Sequence, residues 1–277
     1  MTRISQRTGA AVGGIALALS LAAAWAQQQP APIKSSADGI AEYRAMLADG
    51  NPAELFVAKG EALWKTRRGP KNASLERCDL GKGPGVVKGA FVELPRYFAD
   101  TGRVQDLESR LLSCGETLQG ISAAETAATP FGKGEQANVE ALVAYVSSES
   151  AGLKFNLPQG HAEERTMYEL GKRAFFYRAG SHDFACASCH GEAGKRIRLQ
   201  ELPELTKNPG DGVGFAAWPA YRVSSGELWS MQRRLNDCYR QQRFPYPGFA
   251  SDVTIALGVY MGVNAKGAAS VAPSIKR

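Results

Sequence analysis

Histidine is scarce in this chain, with three in 277 residues, at positions 161, 182 and 190. Regular alternation of apolar and polar residues, the mark of half-buried strands, is almost absent, and the chain reads as mainly α with long loops. Beyond residue 26 no apolar run is long enough to span a bilayer. The glycine-rich stretch from Gly81 to Gly89 lacks both the strand-to-helix context and the Lys-Ser/Thr ending of a phosphate cradle, which leaves a surface loop. Positive charge is in mild excess, +6 overall, and scattered. That argues against nucleic acid and leaves small anions or an acidic protein as partners.

What is present is Cys186-Ala187-Ser188-Cys189-His190. Two thiols three apart, followed at once by a histidine, form the attachment pattern of a c-type haem. The sulfurs add to the two porphyrin vinyl groups, and the adjoining imidazole is held where it binds iron from the proximal side. A redox CxxC would come with a thioredoxin-like βαβ pattern, which is missing. A zinc site would need a second ligand pair, whereas His161 and His182 are unpaired and read as surface or capping residues.

The first 26 residues carry Arg3 and Arg7, an apolar run from Ala10 to Ala24 and the ending Ala24-Trp25-Ala26. That is a signal peptide cut after Ala26, and it places the mature chain in the periplasm, the compartment of covalent haem attachment. Cleavage leaves about 250 residues, enough for two domains of ordinary size. Residues 27–50 read as a leader and N-terminal extension, 51–155 as one domain and 156–277 as a second.

Asn51-Pro52-Ala53-Glu54 reads as a helix start, running to about Arg67, where Gly69-Pro70 stops it. Further helices are expected over about 104–114 and over 138–147, the latter with Val139, Leu142, Val143 and Val146 on one face. Another is expected over 165–178, with Met167, Leu170, Ala174 and Tyr177 on one face. A long loop from Gly191 to Tyr221 precedes a helix over 225–240, and a last helix buries Val253, Ala256, Leu257, Tyr260 and Met261.

The second half repeats the first. At a shift of 111 positions Gly60 falls on Gly171, Trp64 on Phe175, Arg67 on Arg178, Gly69 on Gly180 and Cys78 on Cys189. Leu75 then stands in place of Cys186 and Asp79 in place of His190, so the first half carries a ruined haem motif. At a shift of 124 the segment Arg110-Leu111-Leu112-Ser113-Cys114 matches Arg234-Leu235-Asn236-Asp237-Cys238. At 115, Ala141-Leu142-Val143-Ala144-Tyr145 matches Ala256-Leu257-Gly258-Val259-Tyr260. The expected architecture is two tandem cytochrome c-like domains, the first without haem.

Five cysteines are an odd set, and haem attachment uses two. Cys78 and Cys114 would flank a vacated haem site, and in an oxidising compartment they are expected to join as a disulfide; two buried free thiols are the alternative. Cys238 sits in the segment that supplies a sixth iron ligand. One reading is a spare buried thiol with a methionine as ligand, Met261 or Met231, although both fit core packing better. The other gives Cys238 a function, because Arg234 lies one turn before it, with Arg233, Arg240 and Arg243 near in sequence. Cationic neighbours activate a thiol and attract a small oxyanion, and a plain electron carrier needs neither.

An exported chain with two cytochrome-like halves, a later CxxCH and the stretch Gln232-Arg233-Arg234-Leu235-Asn236-Asp237-Cys238 resembles the SoxA family. SoxA is the catalytic subunit of the SoxAX cytochromes of bacterial thiosulfate oxidation. Loss of the first motif makes the chain similar to the single-haem branch, in which a disulfide occupies the lost site. The resemblance implies one covalently bound haem c held by Cys186 and Cys189, with His190 as proximal and Cys238 as distal iron ligand. It implies Cys238 as the catalytic thiol and Arg234 as the substrate-binding residue. The implied partners are the SoxX cytochrome in a heterodimer, the SoxYZ carrier as substrate, thiosulfate, and a cytochrome c electron acceptor. The implied activity is that of an L-cysteine S-thiosulfotransferase, which joins thiosulfate oxidatively to a cysteine of SoxY. A plain electron-transfer cytochrome is the competing reading. A peroxidase-like enzyme would need a distal His/Arg arrangement that is not found.

Overall fold

Asn51 opens the first helix with both its oxygens. Its side-chain Oδ1 accepts from the Ala53 amide at 3.0 Å and its carbonyl accepts from Glu54 at 3.0 Å. Pro52 loses nothing there, because a first-turn amide has no partner inside the helix. Helix α1 then runs Ala53–Lys65, two residues short of Arg67. Thr66 ends it: its hydroxyl and its amide both turn back to the Ala62 carbonyl, at 2.7 and 2.9 Å, and its own backbone is extended.

The computed structural model describes Glu42 and residues 50–197, 200–207, 213–245 and 247–276. The signal peptide expected over residues 1–26, and most of the leader expected over 27–50, lie outside the described residues. Among those described, no helix is long and apolar enough to cross a membrane. The chain is mainly helical. After α1 come strands β1 (Arg96–Phe98) and β2 (Arg103–Gln105), then helices α2 (Leu107–Cys114), α3 (Ala123–Ala128) and α4 (Gly134–Ser148). The later part runs α5 (Ala162–Phe176), α6 (Cys186–His190), β3 (Arg196–Ile197), β4 (Gln200–Glu201) and α7 (Val213–Ala216). It closes with β5 (Ala220–Arg222), β6 (Glu227–Trp229), α8 (Met231–Gln241), α9 (Asp252–Asn264) and β7 (Ser274–Lys276).

Two helix pairs set the frame, α1 on α4 and α5 on α9. Each crosses at a glycine for the same reason. A Cβ on Gly60 would lie 2.0 Å from the Ala141 carbonyl oxygen and 2.8 Å from the Tyr145 Cβ. A Cβ on Gly171 would lie 1.9 Å from the Ala256 oxygen and 2.9 Å from the Tyr260 Cβ. Only glycine lets the backbones approach that closely. Around the first crossing Trp64, Leu75, Leu111, Leu142 and Val143 form one core, and around the second Phe155, Phe175, Phe215, Leu257 and Tyr260 form another.

Several expected boundaries move, and each has a local cause. Val104 and Gln105 belong to β2, which pairs antiparallel with β1 as Arg96↔Gln105 and Phe98↔Arg103. Helix α2 therefore starts at Leu107, with Asp106 accepting from Ser109 N at 2.9 Å. The later helix likewise starts at Met231 rather than Ser225: β6 precedes it, and Ser230 Oγ accepts from Arg233 N at 3.3 Å. Helix α4 begins at Gly134, ahead of Asn138, and buries Val139, Leu142, Val143 and Val146 as expected. Helix α5 buries Glu164, Gly171 and Phe175; Met167, Leu170 and Ala174 are half-buried, Met167 and Ala174 packing on neighbouring core residues, and Tyr177 lies past the helix end and is 68 % exposed. Helix α9 is buried from Thr254 to Gly262 on every face, more than the single stripe expected. Strands of two or three residues are too short for alternation to register, which is why three small sheets were not legible.

The two parts are clasped by polar groups. Glu164 Oε1 accepts from the Tyr97 amide at 3.0 Å, and the His161 ring stacks on Tyr97 at 3.6 Å. Gln232 Nε2 donates to Asp106 Oδ2 at 2.5 Å, and the Gln232 amide faces Glu108 at 3.5 Å. Glu108 is buried beside Asp106, and burial first, then that neighbouring carboxylate, push its pKa up to about 8. Burial likewise pushes Glu140 up to about 7, against the pull of Arg233. The folded chain thus holds protons that the unfolded chain releases once pH passes the ordinary carboxylate value of 4.5. Folding stability is expected to be greatest in acid and to fall between pH 5 and 8, by at most about 1.4 kcal/mol per pH unit for each group. Urea unfolding at fixed pH values checks this, and Glu108→Gln is expected to flatten the slope.

Candidate functional site

Helix α6 places the CxxCH motif at the end of α5, on which it packs. Between them the chain folds back through an Ala179↔Phe184 bridge, with Gly180 at a positive φ of 72°. The Ala185 amide donates to Ser188 Oγ at 3.0 Å and starts the short helix. His190 Nδ1 lies 2.8 Å from the Pro203 carbonyl. A carbonyl only accepts, so Nδ1 carries the proton and Nε2 keeps its lone pair free for a metal. The Leu205 amide donates to the His190 carbonyl at 2.9 Å, which ties the loop to the motif from a second point. Burial lowers the His190 pKa and favours the neutral, ligating form.

Cys186 and Cys189 are free thiols, as is Cys238 on α8. The three converge: Cys186 feels the charge of Cys238 and Cys189, and Cys238 feels that of Cys189. Burial pushes the Cys186 thiol up to about 12. Burial also raises Cys238, opposed chiefly by Arg234. Arg234 stands one turn from Cys238, its Nη1 paired with Asp237 Oδ2 at 3.0 Å and its guanidinium over Trp218 at 5.9 Å. The other arginines go elsewhere. Arg233 is spent on Glu140 and Glu227, and Arg240 on Asp237 at 2.6 Å. Met261 is 4 % exposed, in the core with Leu257 and Tyr260, and Met231 packs on the same core. His161 caps α5, its Nδ1 accepting from Glu163 N at 3.2 Å, and His182 is exposed.

Among the described residues no cluster of three or more His, Cys, Asp or Glu could hold a bare metal ion. One half-buried imidazole with Nε2 free, two thiols on the same short helix and a third thiol on α8 are the wrong set for a naked cation. They fit a macrocycle that brings four donors of its own and needs axial ligands and two covalent anchors.

In the first part the corresponding positions are closed. Leu75 is 1 % exposed in the core, and Asp79 Oδ1 accepts from the Gly81 and Gly83 amides at 2.7 and 2.9 Å. Cys78 and Cys114 form a disulfide. Arg110, the match of Arg234, is buried, with Nε on the Asp79 carbonyl at 2.7 Å and Nη1 on Asp100 at 2.8 Å. Pro203, Trp229 and Arg222 were not singled out from sequence. Arg222 shares the field of Arg234, Asp237 and Cys238. Extending the 124-position repeat upstream through the hairpin reaches it, since β1–β2 and β5–β6 occupy matched positions.

A mainly helical chain that ends a helix on CxxCH and hands its histidine a carbonyl partner defines a c-type cytochrome. The family model described as "SoxA/TsdA, cytochrome c domain" matches residues 59–155. The chain is 56 % identical over 238 residues to the L-cysteine S-thiosulfotransferase subunit SoxA of Hydrogenophilus thermoluteolus, covering 86 % of this chain and 87 % of that one. A SoxA subunit of Hydrogenobacter thermophilus is 32 % identical over 96 % of this chain and 95 % of its own. The chain belongs to the SoxA family. The crystal structure of SoxXA from P. pantotrophus shares the fold, with a TM-score of 0.70 at 23 % identity over 85 % of this chain and 84 % of that one.

The disulfide closes a loop of 36 residues. In the chain-entropy account that stabilises the fold by about 4 kcal/mol. Replacing Cys78 and Cys114 together by serine is expected to lower the denaturant midpoint accordingly while leaving CxxCH and Cys238 in place, as denaturation followed by circular dichroism will report.

Proposed function

We propose that this chain is the catalytic cytochrome subunit that joins thiosulfate oxidatively to a cysteine of the SoxY carrier, an L-cysteine S-thiosulfotransferase subunit working in the periplasm. The observation that carries the reading is the convergence of Cys238 on the CxxCH thiols beside Arg234, in a chain 56 % identical to a subunit bearing that name. The core position of Met261 speaks against a plain electron carrier with a methionine ligand.

In this reading Cys186 and Cys189 would hold one haem c covalently, His190 and Cys238 would be the side chains that ligate its iron, and the group would supply acceptance of electrons. The chain forms two tandem cytochrome c-like domains, 51–155 and 156–277, of which only the second holds haem. The matched crossings at Gly60 and Gly171 support the duplication, and the Cys78–Cys114 bond supports the haem-less state of the first. SoxX is the partner subunit, consistent with the SoxXA fold match.

Arg234 receives the anionic end of thiosulfate and directs the outer sulfur at Cys238. A bond forms between that sulfur and Sγ, the thiol proton is released, and two electrons leave, one to each of two oxidised cytochrome c acceptors. The carrier's cysteine thiolate then attacks the outer sulfur. The bond to Cys238 breaks, Cys238 departs as thiolate, and the carrier leaves as the S-thiosulfonate. Asp237, also bonded by Arg240 and Gln241, fixes the angle of Arg234.

Mass analysis of the mature protein with thiol trapping under non-reducing denaturation is expected to find one haem and one reactive thiol, Cys238. Cys238→Ala is expected to lose thiosulfate-dependent turnover with SoxYZ while keeping its covalent haem; full activity in that variant would reject the thiol's role.

A further inference from the structure

The two hairpins differ at one position that bears on the site. At the 124-position shift Phe98 on β1 is matched by Arg222 on β5, as Arg110 on α2 is matched by Arg234 on α8. In the first part the Arg110 guanidinium lies over the Phe98 ring, 4.0 Å from its centroid. This strand position therefore faces this helix position. Where the haem-less part has an aromatic ring, the part with CxxCH has a second guanidinium.

Arg222 is held but not neutralised. Its strand is fixed on both edges, Arg222↔Glu227 to β6 and Arg222↔Lys276 to β7. Its guanidinium packs against Trp229 at 5.2 Å. It makes no ion pair among the described residues, because Glu227 opposite it is bound by Arg233 and Asp237 is bound by Arg234, Arg240 and Gln241. Its Nε is buried with no hydrogen-bond partner among the described residues, and the buried Nε1 of Trp229 has none either. Burial and Arg234 both disfavour its charge, whereas Asp237 and Cys238 favour it, so it lies in the same field as the thiol. Two cations brought together around one carboxylate, with buried donors left over, is costly until an anion joins them.

We infer that Arg222 is a second substrate-binding residue, which with Arg234 grips the sulfonate oxygens of a divalent sulfur oxyanion above Cys238. This rests on the function proposed above. Two planar guanidiniums offer paired N–H donors to a tetrahedral –SO3 group, which sets a preference for a doubly charged anion over a singly charged one. The second charge also holds the sulfonate in place while the carrier's thiolate attacks the sulfur next to it.

The test is steady-state turnover of the haem-loaded complex with thiosulfate and SoxYZ, for the parent, Arg222→Gln, Arg222→Lys and Cys238→Ala. Arg222→Gln is expected to raise KM for thiosulfate about ten- to hundredfold, the loss of a charge-assisted hydrogen bond, with kcat within about threefold and an unchanged haem spectrum. Competitive inhibition by sulfate is expected to weaken in parallel, and inhibition by nitrate much less. Arg222→Lys keeps the charge and the strand but not the fork, and is expected to fall between; it decides the matter if the glutamine variant does not fold. A thiosulfate KM within twofold of the parent, or a loss confined to kcat, overturns the role of Arg222. Retained activity in Cys238→Ala marks failure of the underlying reading instead.

Discussion

At Gly171 the backbone of α5 runs against the Ala256 carbonyl with no room for a methyl group. That crossing fixes the axis of α5, and α5 delivers the CxxCH helix from its C-terminal end. It also fixes α9, against which α8 lies with Cys238 and Arg234. Thiols and imidazole 48 residues from Cys238 in the chain, counted from His190, meet because two buried helices share one close contact. The same contact at Gly60 organises the other part, where the enclosed space is filled by Leu75, a disulfide and a buried arginine. One frame thus carries two outcomes, a site lined by three cysteines outside the disulfide and a braced core.

The difference between the outcomes lies in which polar groups are already satisfied. Arg110 donates through Nε to Asp79 and through Nη1 to Asp100 and stacks on Phe98, so its charge is already paired. Arg234 has a single carboxylate partner, shared with Arg240, and a second cation at hand in Arg222. The anion binding proposed here rests on that shortage of carboxylates, not on a large net charge, which is only +6 for the whole chain.

The halves are not independent. Arg233, beside Arg234 in sequence, reaches back to Glu140 on α4, and Gln232 to Asp106 at the start of α2. Glu164 at the start of α5 accepts from Tyr97 on β1. The first part therefore supports α8 and α5 directly, which gives it a structural task towards the CxxCH part.

The sequence by itself determined the CxxCH motif, the pairing of Cys78 with Cys114 as an expectation, the helix periodicity of α4 and the repeat that aligns Arg110 with Arg234. These are matters of spacing along the chain, and spacing is visible in one dimension. It did not reveal the hairpins that displace the starts of α2 and α8, because strands of three residues leave no period to read. Nor did it reveal that Gly171 and Phe175 are the most buried residues of α5, with Met167, Leu170 and Ala174 only half-buried, because the crossing partner, not local hydrophobicity, chooses the face. Arg234 was legible as the arginine one turn before Cys238, whereas the partners of its neighbours were not. Only the tertiary structure sends Arg233 to Glu140, keeps Arg234 by the thiol and brings Arg222 in from a distant strand, since charge pairing depends on distances the chain's order does not record.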